Sequence, residues 1–332
     1  MTAEFPGRTL RIGTRSSPLA LAQTEMVIAA LRAHVPGLRT EVVAVTTEAD
    51  LWQGDLAQLG GKGLFTRQID AMVQGGVVDL AVHCVKDVPG DVPLPAGLVF
   101  GAYLERPDVR DVLLFPEGSG WRTLADLPPG AIVLSSAVRR KAQLLRARPD
   151  LKVVRVRGTV GSRLEKLDGT KRIEVQADGM ILAVAGLARL GISRPGYVLG
   201  LDEMLPAVGA GVLGLECREE DGAVADLLAK VNHPRTQREV TAERAMLRGL
   251  QGHCNSPIAG HCTTEPDGQL VLRGMVFDRE GAEFVDVTLR GGHRGEPAVL
   301  GARVAAELVR QGAREIIDGV PHAWAGPARV GV

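Results

Sequence analysis

Asp87 is placed where a carboxylate can do chemistry. It ends the run His83-Cys84-Val85-Lys86-Asp87, directly after the apolar, β-rich stretch 77–84. A carboxylate beside a lysine, at the carboxyl end of a buried strand, suits acid–base work or the stabilisation of a passing positive charge. The plainer alternative is an Asp that caps a loop against Lys86. A second signal is charge density. Residues 135–163 hold nine basic side chains (Arg139, Arg140, Lys141, Arg146, Arg148, Lys152, Arg155, Arg157 and Arg163) against one acid, Asp150. Arg139 and Arg140 fall in the first turn of an expected helix, beside Ser135 and Ser136. Cations there oppose the helix dipole and need an anion nearby. Arg157 and Arg163 flank the turn 158–161 at the end of a strand, the side on which open α/β sheets bind ligands. The pattern describes a pocket for a multiply anionic small molecule, or else a solvated basic face. The chain has only three Trp, two Tyr and six Phe, in no stacking pattern, so nucleic acid fits less well.

Three further segments carry candidate residues. Arg15 and Ser17 stand at a strand-to-helix junction, where backbone N–H groups and a guanidinium make an anion site, or where Ser17 is simply an N-cap. Gly60-Gly61-Lys62-Gly63 lacks the GxxxxGK[ST] spacing of a nucleotide-phosphate loop. It reads as a mobile gate carrying Lys62 or as a plain flexible loop. Gly252-His253-Cys254-Asn255-Ser256-Pro257, followed by Gly260-His261-Cys262, pairs His with Cys twice. Structural zinc sites use C-x₂₋₄-C spacing, and adjacent ligands fit one tetrahedron badly. The segment therefore reads as an accessible thiol at Cys254, a nucleophile or a covalent anchor. Cys84, Cys217 and Cys262 lie in or beside apolar stretches and read as packing.

The elements that must position these residues alternate strand and helix. Strands are expected at 10–13, 41–47, 77–84 and 98–104, with helices at 17–34 and 64–74 between them. Residues 105–111 read as a crossover, after which the rhythm restarts. Strands are expected at 112–115, 132–135, 152–157 and 178–183, and helices at 137–147, 160–167 and up to 191. This βαβ order implies two similar α/β units with mainly parallel sheets. A Gly-punctuated strand follows Pro206, then helices at 221–231 and 236–250. The last eighty residues change character, with a hairpin over 269–277 and 283–289 and an amphipathic helix at 297–311, as in a smaller α+β domain.

Composition bounds these readings. The 332 residues suggest two or three domains. Lys+Arg and Asp+Glu are each 39, so the formal net charge is zero, which excludes a globally basic coat or an acidic tail. Of the 39 basic residues only 7 are Lys; Arg suits a fork that grips carboxylates, although codon bias has the same effect. No apolar run reaches the about 18 residues of a membrane span. The first residues lack the apolar core of a signal peptide, and four cysteines in so long a chain fit reduced thiols in a cytosol.

Together the blocks RIGTRSSPLALAQT, GGKGLFTRQID, DLAVHCVKDVP, VRRKAQL, VRGTVGSRLEKL, ILAVAGLARLG, LPAVGAGVLGLECR and ERAMLRGLQGHCNSPIAG resemble the porphobilinogen deaminase (hydroxymethylbilane synthase) family. They stand in the family's order over about residues 10–260. The resemblance implies two α/β domains like periplasmic binding proteins flanking a cleft, plus a small C-terminal α+β domain. It places domain 1 at 1–105 with 206–232, domain 2 at 106–205 and domain 3 at 233–332. It implies a transferase that joins four porphobilinogen molecules head to tail into linear hydroxymethylbilane, releasing ammonia each time, in tetrapyrrole and heme biosynthesis. The primer is a dipyrromethane cofactor joined by a thioether to the position matching Cys254. Asp87 matches the catalytic carboxylate, which assists loss of the nitrogen, stabilises the azafulvenium cation and helps deprotonate the new junction. By resemblance Lys86, Arg139, Arg140 and Arg163, with Ser135 and Ser136, hold the cofactor. Arg15, Ser17, Arg157, Arg163 and Arg189 hold substrate or chain carboxylates, and Lys62 and Phe65 belong to a loop over the cleft. No metal, nucleic acid or membrane is implied, and the expectation is a cytoplasmic monomer. The chain departs from the family at Ala137, where a Ser contact is usual, at Ala210 for Gln, at Gln58 for Lys and at His253 for Gly, and 168–178 reads as a surface insertion. The competing classes are a non-enzymatic anion-binding protein on the same two-lobed fold and a zinc-dependent nucleic-acid binder using Cys254 and Cys262.

Overall fold

The structure, a computed structural model, describes residues 8–52, 62–251, 256–291 and 296–319. The first sheet is built from β1 (Leu10–Arg15), β2 (Thr40–Val45), β3 (Leu80–Cys84), β4 (Leu98–Tyr103) and β10 (Leu213–Arg218), in the order β2-β1-β3-β10-β4. The second contains β5 (Asp111–Leu114), β6 (Ile132–Leu134), β7 (Lys152–Val154), β8 (Gly179–Ala183) and β9 (Gly196–Val198), in the order β7-β6-β8-β5-β9. The third is an antiparallel meander of β11 (Ile258–Thr264), β12 (Leu270–Phe277) and β13 (Phe284–Gly291).

The two five-stranded sheets share one plan. In each, the first three strands of the order run parallel and the fourth runs antiparallel to both its neighbours. That fourth strand is the one laid down just after the chain crosses over: β5 on entering the second sheet, β10 on returning to the first. A strand arriving from the neighbouring sheet enters from the opposite end, which corrects the expectation of mainly parallel sheets at this one position.

Helices cover the sheets: α1 (Pro18–His34), α2 (Glu48–Leu51), α3 (Arg67–Gln74), α4 (Val138–Ala147), α5 (Val160–Leu167), α6 (Val184–Arg189) and α7 (Gly222–Ala229). The third sheet carries α8 (Pro234–Leu250), α9 (Pro297–Arg310) and α10 (Ala313–Gly319). Helix α1 starts as its sequence dictates, with the Ser17 hydroxyl accepting from Ala20 N–H at 3.3 Å and Pro18 in the first turn. Its inner face (Val27, Ile28, Leu31) joins Leu10, Ile12, Leu80 and Leu215 in the core of the first sheet. Helices α8 and α9 approach closely because position 301 is glycine: a Cβ there would stand 2.1 Å from the Ala242 carbonyl oxygen. Strands β9 and β11 and helix α10 were not expected from sequence. In β11, Gly260 and His261 interrupt the apolar alternation that would mark a strand. Among the described residues no helix is long and apolar enough to cross a membrane.

One buried carboxylate ties the three sheets together. Glu243 of α8 accepts from Arg106 Nη1 at 2.6 Å at the first crossover, from Gly209 N–H at 2.7 Å on the return, and from Cys262 N–H at 2.8 Å in β11. Burial raises the pKa of this carboxyl, but the Arg106 charge, His261 and the hydrogen bonds outweigh it and bring it down to about 2. A carboxyl whose pKa is depressed on folding stabilises the fold above its unfolded value and loses that contribution as pH falls. Glu243→Gln is therefore expected to lower the melting temperature most at neutral pH. The gap from the parent should narrow as pH falls from about 5 towards the folded value of about 2, read by thermal scans across that range.

Candidate active site

Strand β3 ends at Cys84 and passes into a single 3₁₀ turn, Val85–Asp87, that delivers Lys86 and Asp87 to the cleft between the two larger sheets. Gly209 closes on this turn: its φ is +72°, and a Cβ would lie 3.0 Å from the Lys86 nitrogen, so glycine is required by both backbone and space. Two adjoining hollows of about 310 and 270 Å³ share Lys86, Asp87 and Arg140 in their walls. The first is completed by Ser136, Ala137, Val138, Arg139, Ala207, Val208, Leu247, Ser256 and Ile258. The second is completed by Arg15, Ser17, Leu19, Gln23, Phe65, Cys84, Arg163, Leu182, Arg189 and others.

The wall of the second hollow is strongly cationic. Burial, together with the charges of Arg140, Arg157 and Arg15, pushes the Arg163 guanidinium down to about 10, against the pull of Asp87. Burial also lowers Arg189, whose Nη2 donates to the Gly211 carbonyl at 2.5 Å. The Nε atoms of Arg163 and Arg189 are buried without a hydrogen-bond partner. An arrangement that holds cations this close and leaves buried donors unmade is costly until anions arrive. Arg15 stands at the edge of Asp87, with Nη1 3.8 Å from Oδ2.

Arg139 and Arg140 already have an anion, and it is internal. Asp111, the first residue of β5, accepts from Arg139 Nη2 at 2.9 Å and from Arg140 Nη2 and Nε at 2.6 and 3.0 Å. Arg139 also donates to Leu205 O and Arg140 to Ile181 O. Burial raises Asp111, but the two guanidinia outweigh it and hold the carboxyl well below the usual range. The two cations at the start of α4 thus have the counter-ion that their place on the helix demands, and Arg140 still faces both hollows.

The remaining sequence candidates are spread around this centre. The Ser136 hydroxyl is tied to Val156, donating to its carbonyl and accepting from its N–H, and it lines the first hollow. Ser135 is buried beneath it and accepts from Ala137 N–H; it is not among the lining residues. Arg157 stands close enough to Arg163 to shift it, although it lines neither hollow. Phe65 lies against Arg15, with ring centroid and guanidinium carbon 4.3 Å apart. Lys62 pairs with Asp91 instead of facing either hollow. Gly60, Gly61, Gln58, His253 and Cys254 lie outside the described residues; Ser256, two positions after Cys254, lines the first hollow.

The sequence reading missed four residues. Cys84, read as packing, lines the second hollow and receives a 3.1 Å hydrogen bond from Gln23, another lining residue. Asp111 and Asp50 are the partners of the site arginines; Asp111 sits in a segment without a local motif, and the Thr47–Asp50 capping box signals a helix start and not a partner for Arg15. Behind the site His83 is buried between Asp70 and Glu216, at 3.6 and 3.4 Å. These three offer donor atoms close enough to hold a metal ion among the described residues. Cys262 is buried in β11, and burial raises its thiol.

The family models and the curated relatives agree with one another. Residues 10–226 match the model for the dipyrromethane cofactor binding domain of porphobilinogen deaminase, and residues 237–310 match that family's C-terminal domain. Porphobilinogen deaminase 2 of Streptomyces coelicolor is 51% identical over 314 residues, covering 94% of this chain and 97% of the relative. Porphobilinogen deaminase of Sphingopyxis alaskensis is 43% identical over 305 residues, covering 91% and 95%. Among solved structures, a periplasmic VFT2 domain of Bordetella pertussis BvgS aligns over 67% of this chain and 86% of its own, at 16% identity and a TM-score of 0.38. With two family domains in order and relatives alike over nearly its whole length, the chain belongs to the porphobilinogen deaminase family, the hydroxymethylbilane synthases of tetrapyrrole biosynthesis, and carries their dipyrromethane cofactor domain.

Proposed function

We propose that Asp87 is the acid–base residue of hydroxymethylbilane synthesis, that the first hollow holds the dipyrromethane carried on Cys254, and that the second receives porphobilinogen. The observation that carries this is that Arg15, Arg140 and Arg163 share the walls of one hollow with the carboxylate of Asp87. Each pyrrole brings one acetate and one propionate, and guanidinium forks pair with carboxylates bidentately. Buried, unpaired Nε atoms on Arg163 and Arg189 are donors waiting for such groups. The bound dipyrromethane supplies the nucleophilic pyrrole carbon to which the chain is added.

In this reading Asp87 gives a proton to the departing aminomethyl nitrogen, and ammonia leaves as the C–N bond breaks. Its carboxylate then faces the positive charge left on the methylene carbon and takes the proton released once the new C–C bond has formed. Lys86, Arg139, Arg140 and Arg163, with Ser135 and Ser136 beneath, orient the cofactor side. Arg15, Ser17, Arg157, Arg163 and Arg189 orient the incoming ring, and Lys62 and Phe65 belong to the loop over the cleft, Phe65 in the wall of the second hollow and Lys62 turned to Asp91. We take the domains as 1–105 with 206–232, 106–205, and 233–332, a division supported by one sheet in each. The working unit in this proposal is a cytoplasmic monomer without nucleic acid or membrane. Zero net charge supports the absence of nucleic acid, since the excess of cations is local to residues 135–163.

Intact mass and peptide mapping test the proposal. The purified protein should carry an excess equal to two porphobilinogen units less two ammonia on the peptide containing Cys254. Cys254→Ala should lack that mass and lose turnover while keeping its fold. Normal turnover in that variant would remove Cys254 from the reaction.

A further inference from the structure

Arg15 is held on three sides. Its Nε donates to Asp50 Oδ2 at 3.2 Å and its Nη2 bonds Asp50 Oδ1, so Asp50 takes the side-on edge of the guanidinium. Phe65 lies 4.3 Å from the guanidinium carbon. Nη1 points at Asp87, 3.8 Å from Oδ2. Asp50 is itself fixed. It is the third residue of α2, in a capping box with Thr47: its Oδ2 accepts from the Thr47 hydroxyl at 2.8 Å and from Thr47 N–H at 3.2 Å, while Asp50 N–H donates back to that hydroxyl.

A guanidinium has five N–H donors on two usable edges. Asp50 uses one edge, Nε with Nη2. The other edge, Nη1 with the second Nη2 hydrogen, remains as an end-on fork beside Asp87. We propose that Asp50 is a positioning residue for the reaction: it locks Arg15 side-on so that the end-on fork meets a pyrrole carboxylate next to Asp87 and the guanidinium does not swing onto Asp87 itself. The proposal rests on the reading of Arg15 as a carboxylate-binding residue.

Two physical points favour this over a plain surface ion pair. The pair is largely sequestered, with side chains 24% and 16% exposed, and its bidentate geometry fixes a plane that a single contact would not. Removing Asp50 would also leave Asp87 as the nearest carboxylate to a buried cation, so Arg15 would be drawn onto the acid that must stay available.

The test is a double-mutant cycle on the cofactor-loaded enzyme, with Asp50→Asn, Arg15→Leu and the pair combined, assayed for kcat/KM with porphobilinogen. Asn keeps the size of Asp and one acceptor for the cap, and thermal melting checks that the fold survives. The expected result is a fall of at least tenfold for Asp50→Asn alone and a change of less than twofold when the same substitution is made in the Arg15→Leu background, because Asp50 acts through Arg15. An equal loss in both backgrounds would show a merely structural role for Asp50 and overturn the proposal. A normal kcat/KM for Asp50→Asn beside an impaired Arg15→Leu would overturn it while leaving Arg15 as a substrate residue. An unimpaired Arg15→Leu would overturn the reading of Arg15 and the proposal with it.

Discussion

Asp87→Asn is expected to lower kcat by about 10²–10⁴-fold while porphobilinogen still binds, the range that removal of a general acid–base group produces. Asn has the shape of Asp, and the side chain is about one-third exposed at the end of a buried strand, so the fold has little reason to change. The arginines proposed to hold the pyrrole carboxylates are untouched. What is lost is the ability to give a proton to the leaving nitrogen, to offset the positive charge that follows and to take back the proton of the new junction. In the proposed mechanism all three duties fall on one group, since Asp87 is the carboxylate that the walls of both hollows share, while the cations around it repel a positive intermediate. Steady-state kinetics separate the roles. A large fall in kcat with KM within a few-fold of the parent fits an acid–base residue. A normal kcat would place the acid elsewhere, and a rise in KM alone would make Asp87 a binding group.

Much of this site was legible in the chain because its signals are local. Ser17-Pro18 opens α1, and the apolar, β-rich stretch 77–84 ends where strand β3 ends, at Cys84, so residue pattern alone puts Asp87 just past a strand terminus. The start of α4 at Val138 and the turn before α5 follow the same logic. What was not legible depends on pairs remote in sequence. Asp111 serves Arg139 and Arg140 from 28 and 29 positions away, and Asp50 serves Arg15 from 35 away. Asp111 stands in no motif, the Thr47–Asp50 capping box marks only a helix start, and the value of both acids comes from the fold that brings β5 beside β8 and Asp50 onto Arg15. The antiparallel strands β5 and β10 escaped for a related reason. An apolar strand buried on both faces reads the same in either direction, and only the crossover geometry fixes its sense.

Loss of Asp111 should be among the most damaging single changes in the second sheet. Asp111→Ala leaves two guanidinia, 7% and 8% exposed, with only the Leu205 and Ile181 carbonyls as partners among the described residues. Removing one member of a buried ion pair costs about 3–5 kcal/mol, because the remaining charge is stranded. That is a large share of the roughly 5–15 kcal/mol that holds a protein folded. Faster hydrogen exchange at β5 and β8 would locate the damage, since a chain of several domains need not unfold in one step. Acid should mask the effect. Asp111 titrates below its ordinary value when folded, so its stabilisation is present above about pH 4 and fades beneath it, and parent and variant should converge there.

The same change also asks whether the arginine pair serves the cofactor. If dipyrromethane carboxylates rest on Arg139 and Arg140, the cofactor supplies part of the missing negative charge. Asp111→Ala should then lower the melting temperature less in the loaded enzyme than in a Cys254→Ala background, where no primer is attached. Equal losses in the two backgrounds would mean that Asp111 alone serves the pair and that the cofactor's carboxylates are held by Lys86 and Arg163.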